Sequence, residues 1–233
     1  TSELYTRQWF FPRYANEKIH EPATTDAFID YIELNSVVLD IGGHIGYFSC
    51  IGGSLAKNGS VHVFEADPKC ISLINKNVIL NGLNNVHVHN YAVSNSEEYI
   101  KIPQLNTPHP GLVINSKHIG GYISVKGLTI DSFLATNGVI PNFIKIDIEG
   151  AEWNALQGMH KTLEKHSPTL LVEIHIEILK QEFNIDYKEI IKLLIGYGYK
   201  LYSIAHRNDS DQNVQVHPDS QLRGNIMLLC TKK

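Results

Sequence analysis

The stretch VVLDIGGHIGYFS places a carboxylate directly ahead of a glycine-rich turn, with Asp40, Gly42 and Gly46 in the pattern D-x-G-x-x-x-G. A dinucleotide-binding turn needs G-x-G-x-x-G, so that a pyrophosphate can sit on the following helix N-terminus. Here His44 occupies the third position of that pattern. Asp40 would repel a diphosphate but attract an ammonium or sulfonium group, and the glycines let the backbone approach a ligand closely. The turn therefore predicts a cationic ligand.

A second carboxylate, Glu65, stands at the end of the next apolar run, VHVFEAD. An ionised carboxylate has two acceptor oxygens, so it can take hydrogen bonds from both hydroxyls of a ribose. One acidic residue at a strand end is a weak signal by itself. Combined with the turn at Asp40, it predicts a ligand that carries a nucleoside.

Short β-branched runs alternate with helical patterns from Asn35 onward, which is typical of βαβ units around a parallel sheet. The predicted strands are SVVLDI, VHVFEAD, NVHVHNYAVS, FIKIDIE and TLLVEIH, followed near the C-terminus by YKLYSI and NIMLLC. The predicted helices are Tyr47 to Lys57, DPKCISLINKNVILNG and DYKEIIKLLIGYG. In the second of these, Asp67 is the expected N-cap, Pro68 the first helical residue and Gly82 the residue just past the end.

Ligands of such folds bind outside the carboxyl ends of the strands, where the strand order reverses. In this sequence those ends carry mostly acidic side chains, namely Asp40, Glu65, Asp67, Ser94, Asp147, Glu149, Glu173 and His175. Alternation along a strand places Asp147 and Glu149 on one face, and the same holds for the pair Glu173 and His175. The pattern therefore predicts that several carboxylates converge on one edge of the sheet.

The composition predicts a folded protein, and residues 1–233, whose length alone would allow one domain or two, are interpreted as a single domain. Hydrophobic residues make up 43% of the chain and charged residues 19%, as in ordinary globular domains. The net charge of −4 argues against a broad basic surface for nucleic acid. Residues 1–34 are interpreted as an N-terminal preface. Residues 99–121 are interpreted as an insertion that shapes a binding site, with a polar loop from His206 to Gly224 near it.

The three cysteines are odd in number and lack paired spacing, so they are expected to be reduced, which suits the cytoplasm. No apolar run reaches the length of a membrane span, and the first residues lack the layout of a secretory signal. The opening Thr1 fits a trimmed chain or a domain cut from a longer protein. The sequence leaves the oligomeric state open.

Six stretches, taken in order, resemble the FkbM family of S-adenosylmethionine-dependent methyltransferases: VVLDIGGHIGYFS, VHVFEADP, NYAVSN, LTIDSFL, FIKIDIEGAEWNALQG and PTLLVEIH. The likeness runs from about Glu21 to His175, and IKIDIEGAEWNALQG is its most specific part. The resemblance implies a doubly wound α/β fold. Its sheet would have seven mostly parallel strands, helices on both faces and an antiparallel last strand, NIMLLC.

The resemblance also implies S-adenosylmethionine as cofactor. It assigns the methionine end to Asp40, Gly42 and Gly46, the ribose to Glu65, and the adenine to the segment NYAVS. The full set of expected cofactor-binding residues is Asp40, Gly42, Gly43, His44, Gly46, Glu65, Ala66, Ala92, Val93, Ser94 and Asp147. The chain departs from the family at Gly43 and His44, where the family usually shows Ala and Asn after the first glycine.

Methyl transfer to a weakly acidic hydroxyl needs an acceptor held in line with the methyl group and help in removing the proton. The candidate catalytic residues are Asp147, Glu149, Glu173 and His175. Two alternatives stay open. Either His175 is the general base, or Asp147, Glu173 and His175 hold a divalent cation. Oxygen ligands suit Mg²⁺ or Mn²⁺, and a histidine shifts the preference towards Mn²⁺ or a later transition metal.

The sequence as a whole predicts an O-methyltransferase that acts on a hydroxyl of a small molecule or glycan, with a sugar hydroxyl as the first choice. A nicotinamide-dependent oxidoreductase is the alternative among enzymes, although Asp40 and the missing glycine at His44 disfavour it. A binding module that retains the cofactor pocket without catalysis is the alternative outside enzymes.

Overall fold

The structure is a computed structural model that describes residue 12 and residues 19–103, 121–204 and 214–232. The first half contains α1 (Pro22–Asp30), β1 (Val37–Ile41), α2 (Tyr47–Leu55), β2 (Ser60–Phe64), α3 (Pro68–Leu80), β3 (Val86–His89), β4 (Ala92–Val93) and β5 (Tyr99–Pro103). Then follow β6 (Tyr122–Leu128), α4 (Ile130–Asn137), β7 (Phe143–Ile146), α5 (Glu152–Gln157), α6 (His160–Lys165), β8 (Thr169–His175), α7 (Ile176–Phe183), α8 (Tyr187–Gly196), β9 (Lys200–Ile204), β10 (Val214–Val216) and β11 (Asn225–Thr231).

The main sheet has the strand order β10-β9-β11-β8-β7-β1-β2-β3. The strands from β8 to β3 in this order are parallel to one another, and β11 runs antiparallel to both β8 and β9. The doubly wound fold and the antiparallel last strand are therefore confirmed. The strand order reverses at β1, which lies between β2 and β7 and marks the expected binding edge.

The sheet has eight strands where seven were expected. The additional strand is β10, which pairs antiparallel with β9 at the edge of the sheet. It lies within the segment from His206 to Gly224 that was interpreted as a polar loop. A three-residue edge strand with two exposed side chains lacks the buried apolar run from which strands are predicted, so its sequence gives no signal.

Apolar side chains of the strands alternate between two buried layers. One layer contains Leu39 and Ile144 and packs against helices α4 to α8. The other contains Val38 and Phe143 and packs against α1, α2 and α3. Strands covered on both faces read as continuous apolar runs, which explains why they were visible in the sequence.

Helix α3 begins and ends as predicted. The Asp67 side chain accepts a hydrogen bond from the Lys69 backbone N–H at 2.8 Å, and Pro68 is the first helical residue. Gly82 follows the helix with a φ of +64°. The predicted helix from Tyr47 to Lys57 ends two residues early, at Leu55.

The predicted third strand, NVHVHNYAVS, is in fact two strands. The chain turns between them because the Asn90 side chain donates hydrogen bonds to the carbonyl oxygens of Glu65 and Ala66, at 2.8 and 3.0 Å. Strand β4 then joins β6 and β5 in a small sheet of its own, with the order β4-β6-β5. The insertion at residues 99–121 thus contributes β5, while residues 104–120 lie outside the described residues.

Much of the N-terminal preface also lies outside the described residues, although its last part forms α1. Within the described part of the chain, none of the helices has the length and apolar character needed to cross a bilayer.

Three histidines stack across β2 and β3. The His62 ring lies 5.0 Å from the His87 ring and 5.4 Å from the His89 ring, centroid to centroid. Nδ1 of His62 is 3.2 Å from Nε2 of His89. Burial lowers the pKa of His62 to about 4, and the charges that His89 and His87 would carry act in the same direction. The folded stack therefore resists protonation.

We predict that this stack makes stability fall in acid. An unfolded histidine takes up a proton near pH 6.5, whereas His62 in the folded chain does so only near pH 4. The stabilisation is thus present above pH 6.5 and is lost as the pH falls towards 4. Between pH 7.5 and pH 5, the free energy of unfolding measured in urea should fall by on the order of 1 kcal/mol less in His62→Gln than in the unmodified chain. This figure is reduced because His62 is partly exposed to solvent. The exposed control His217→Gln should match the unmodified chain, and equal losses in all three proteins would contradict the prediction.

Candidate active site

The carboxyl ends of β1, β2, β7 and β8 meet at one edge of the main sheet. This edge carries Asp40, Glu65, Asp147 and His175, as the alternation of strands and helices predicted.

The turn after β1 lies directly on the end of β7. Gly42 has a φ of +89°, and a Cβ added there would come within 1.9 Å of the Asp147 carbonyl oxygen. The Gly42 and Gly43 backbone N–H groups donate to the Phe64 carbonyl oxygen at 2.9 and 3.2 Å. Only glycine meets both demands at position 42, because other residues add a Cβ and disfavour positive φ. The turn therefore joins the end of β1 to the segment that contains Asp147.

Asp40 is buried beneath this turn, with 1% of its surface exposed. Its Oδ2 accepts a hydrogen bond from the Ser49 hydroxyl at 2.5 Å. Its Oδ1 is buried and has no hydrogen-bond partner among the residues that the structure describes. Burial raises the pKa of Asp40, while the Lys145 charge and the Ser49 hydroxyl oppose that effect. Asp40 thus presents an acceptor oxygen that lacks a donor, as a ligand-facing carboxylate would.

Glu65 is held by two backbone amides. The His44 N–H donates to its Oε2 and the Asp67 N–H to its Oε1, both at 2.8 Å. Burial raises the pKa of Glu65 to about 7, although these two amides act in the opposite direction. Each carboxylate oxygen has two lone pairs, so each keeps one for a further donor.

The backbone conformation of His44 explains why histidine is tolerated in the turn. His44 has a φ of +50°, and this conformation accompanies its amide contact with Glu65. Histidine and asparagine are among the residues that adopt such a conformation most readily. Histidine therefore suits the backbone conformation of the turn at position 44.

The segment expected to hold an adenine adjoins Glu65. Ala92, Val93 and Ser94 are 6%, 7% and 5% exposed, respectively. Ala66 packs against the small apolar cluster of Ala92, Ile102 and Val125. Asn90 was not among the predicted site residues. Its side chain connects this segment to the end of β2 by donating hydrogen bonds to the carbonyl oxygens of Glu65 and Ala66.

Lys145 lies at the centre of the site and was missed from the sequence. It is 1% exposed and stands opposite Asp40 on the neighbouring strand. Its Nζ lies 3.1 Å from Oδ2 of Asp147 and 4.7 Å from the centroid of the Phe48 ring. Burial alone would lower the pKa of Lys145, but the charges of Asp147, Asp40 and Glu21 raise it above its usual value. The ammonium therefore stays charged, and a lysine inside the buried strand FIKI was the available signal.

His175 is enclosed by carboxylates. Its Nδ1 lies 2.9 Å from Oε1 of Glu152, and its Nε2 lies 3.2 Å from Oε2 of Glu149 and 3.4 Å from Oε1 of Glu173. Burial alone would lower the pKa of His175, but the hydrogen bond and charge of Glu152 and the charges of Asp147 and Glu149 raise it to about 9. The ring holds a proton at neutral pH in this arrangement, which counts against its use as a general base.

The expected catalytic residues form one cluster. Asp147, Glu149 and His175 each offer one ligand atom, and these atoms lie within 4.8 Å of one another. Glu173, which was expected in the metal-binding set in place of Glu149, contacts His175 and accepts a hydrogen bond from the Asn225 side chain at 3.3 Å. Glu152 was not predicted. It is completely buried and its Oε1 also accepts the Gly150 N–H at 2.9 Å.

We predict that removing the Lys145 charge destabilises the fold strongly. Breaking a buried ion pair typically costs about 3–5 kcal/mol, because the remaining charge is left uncompensated. Lys145→Met should therefore lower the free energy of unfolding by about that amount. The matched exposed control Lys180→Met should change it by less than about 0.5 kcal/mol. Urea titrations at pH 7.5 measure both, and equal effects of the two substitutions would contradict a central role for Lys145.

Comparison with known proteins gives a consistent result. The methyltransferase FkbM domain family matches residues 40–201. Hexuronic acid methyltransferase AglP of Haloferax volcanii is 28% identical over 170 residues, which are 71% of this chain and 64% of that protein. The chain therefore spans less than two thirds of the length of this relative.

Solved structures share the fold. Methyltransferase FkbM from Methylobacillus flagellatus KT superposes with a TM-score of 0.54 and 19% identity, over 85% of this chain and 44% of that one. Precorrin-6y C5,15-methyltransferase from Geobacter metallireducens GS-15 gives a TM-score of 0.51 and 11% identity, over 88% of this chain and 85% of that one. Because the family match covers most of the sequence and this edge of the sheet, the chain belongs to the FkbM family of methyltransferases.

Proposed function

We propose that this methyltransferase moves the methyl group of S-adenosylmethionine to a hydroxyl of a sugar, with a hexuronic acid as the first candidate. One observation carries the proposal. The glycine turn beside Asp40 lies directly on the Asp147 peptide, with less than 2 Å of room for a Cβ at Gly42. A ligand at the turn would thus border the cluster of Asp147 and Glu149, as a methyl donor must border its acceptor.

The acids at the ends of β1 and β2 fit the two polar parts of this cofactor. Oδ1 of Asp40 is a buried acceptor that lacks a donor within the described chain, and its carboxylate favours the amino group of the methionine end. Each oxygen of Glu65 accepts one backbone N–H and keeps a lone pair for a ribose hydroxyl.

The acceptor hydroxyl would lie against Asp147 and Glu149. The side chains of these residues are 25% and 20% exposed, whereas that of His175 is 1% exposed, so an acceptor can reach the first two. In the transfer, the hydroxyl oxygen forms a bond to the methyl carbon as the carbon–sulfur bond breaks. The electron pair of that bond stays on sulfur, giving S-adenosylhomocysteine, and the hydroxyl proton passes to a carboxylate of this pair.

The choice of a hexuronic acid comes from the relative of that activity, which matches 71% of this chain. The alternative of a nicotinamide-dependent oxidoreductase is set aside, because the chain belongs to a methyltransferase family. A module that binds the cofactor without catalysis remains the outcome against which activity must be tested.

The test is an assay with S-adenosylmethionine labelled in the methyl group. The acceptors would be glucuronic and galacturonic acid glycosides, with glucose and galactose glycosides as the matched neutral sugars. We expect S-adenosylhomocysteine and labelled sugar in equal amounts from a hexuronic acid acceptor, with a label that survives mild alkali, as a methyl ether does. An alkali-labile label would place the methyl group on the sugar carboxylate. Cofactor binding without turnover on any acceptor would overturn the proposal.

We also predict that Glu65→Ala weakens the binding of S-adenosylhomocysteine by roughly 1.5–3 kcal/mol, the scale of lost hydrogen bonds to a charged group. Isothermal titration calorimetry measures this, and circular dichroism of each variant checks that it is folded. The exposed residue Glu97 offers a matched control, since Glu97→Ala should leave the affinity unchanged. An unchanged affinity in Glu65→Ala would remove Glu65 from the cofactor site.

A further inference from the structure

We infer that Asp147, Glu149 and His175 form a binding site for one divalent cation, with Mn²⁺ as the favoured ion. The inference deepens the proposed function, because the ion would lie where the acceptor hydroxyl is expected. Its binding can nevertheless be measured without cofactor or acceptor.

The geometry of the three side chains suits a single ion. One carboxylate oxygen from each acid and one imidazole nitrogen lie within 4.8 Å of one another. Metal–ligand bonds of roughly 2.0–2.6 Å place two ligand atoms at most about 4–5 Å apart across the ion. The side chains are therefore gathered closely enough to bind without moving an element of the fold.

The His175 ring is oriented as in many metal sites. Its Nδ1 faces Oε1 of Glu152 at 2.9 Å, and the same oxygen accepts the Gly150 N–H at 2.9 Å. A carboxylate on one ring nitrogen fixes the ring and raises the basicity of the other nitrogen, which then binds the ion. In this chain that other nitrogen is Nε2, which already faces Glu149 and would release its proton to solvent when the ion binds.

Buried charge in the cluster gives an independent reason for a cation. Glu152 is completely buried, and its Oε2 has no hydrogen-bond partner within the described parts of the chain. Nε2 of His175 carries at most one proton, yet it faces the oxygens of both Glu149 and Glu173. Nζ of Lys145 lies 3.1 Å from Asp147, and Lys145 also stands opposite Asp40 on β1. A buried carboxylate oxygen that lacks a donor is costly, and a cation in the neighbouring cluster would offset that cost.

The ligand types select the ion and suggest its use. Two carboxylates and one imidazole favour Mn²⁺, since Mg²⁺ and Ca²⁺ prefer oxygen alone. A bound divalent ion would lower the pKa of a coordinated acceptor hydroxyl. It would also offset the repulsion between Asp147 and Glu149 and the carboxylate of a hexuronic acid. Each acid would bind the ion through one oxygen and keep the other to accept the proton.

The first test is calorimetric titration of the chelator-treated full chain with MnCl2. We expect one Mn²⁺ per chain and an affinity at least tenfold weaker in Glu149→Gln, on the scale of roughly 10–100-fold losses seen when even supporting residues of metal sites are changed. The exposed residue Glu177, at the start of α7, gives the matched control, and Glu177→Gln should bind Mn²⁺ as the unmodified chain does. The absence of saturable binding, or equal affinity in Glu149→Gln, would overturn the inference.

A second measurement needs no variant. Pulsed electron paramagnetic resonance of Mn²⁺ bound to the unmodified chain should show coupling to one imidazole nitrogen, from His175. Bound Mn²⁺ without nitrogen coupling would contradict the site. Titration of the same samples with S-adenosylhomocysteine separates the two proposals. Cofactor binding without Mn²⁺ binding would refute the cation site alone, and Mn²⁺ binding without cofactor binding would refute the proposed function alone.

Discussion

The buried ammonium group of Lys145 is the interaction on which the rest of this site depends. Lys145 belongs to β7, stands opposite Asp40 on the neighbouring strand β1, and has its Nζ 3.1 Å from Oδ2 of Asp147. Burial raises the pKa of Asp40, and the Lys145 charge opposes that effect. The charge of Lys145 therefore favours acidic side chains at the ends of β1 and β7, where the expected cofactor and acceptor regions meet.

From Lys145 the polar side chains extend in two directions along the edge of the sheet. Towards β2 lie Asp40 and Glu65, which are separated by the glycine turn and suit the cationic and ribose ends of a nucleoside-bearing methyl donor. Towards β8 lie Asp147, Glu149 and His175, which suit an acceptor and a cation. Gly42 connects the two regions, because its missing side chain lets the turn rest on the Asp147 peptide. This contiguity is the physical basis for assigning methyl transfer to this edge.

Much of the fold was predictable because local signals and packing agree. Strand β8 matches the run TLLVEIH residue for residue, and α3 begins directly after its predicted N-cap, Asp67. Strand β10 was not predictable, since a short edge strand needs no apolar pattern. The turn between β3 and β4 was also not predictable, because it depends on a hydrogen bond from the Asn90 side chain to the Glu65 carbonyl oxygen, just after β2.

The acids of the candidate site were predictable because strand ends in a parallel sheet share an edge. Lys145 and Glu152 were not singled out, since their importance comes from neighbours on other elements: Asp40 and Phe48 for the first, His175 for the second. The role of His44 likewise depends on the fold, because its backbone N–H donates a hydrogen bond to Glu65, which lies on the next strand end. The roles of the individual site residues stay predictions.

A crystal structure of the chain with S-adenosylhomocysteine would show directly whether the cofactor binds at this edge of the sheet. We expect both ribose hydroxyls within hydrogen-bond distance of Glu65, the amino group of the homocysteine end at the glycine turn beside Asp40, and the sulfur facing Asp147. A nucleoside bound away from Glu65, with the homocysteine end remote from the turn at Gly42, would contradict it.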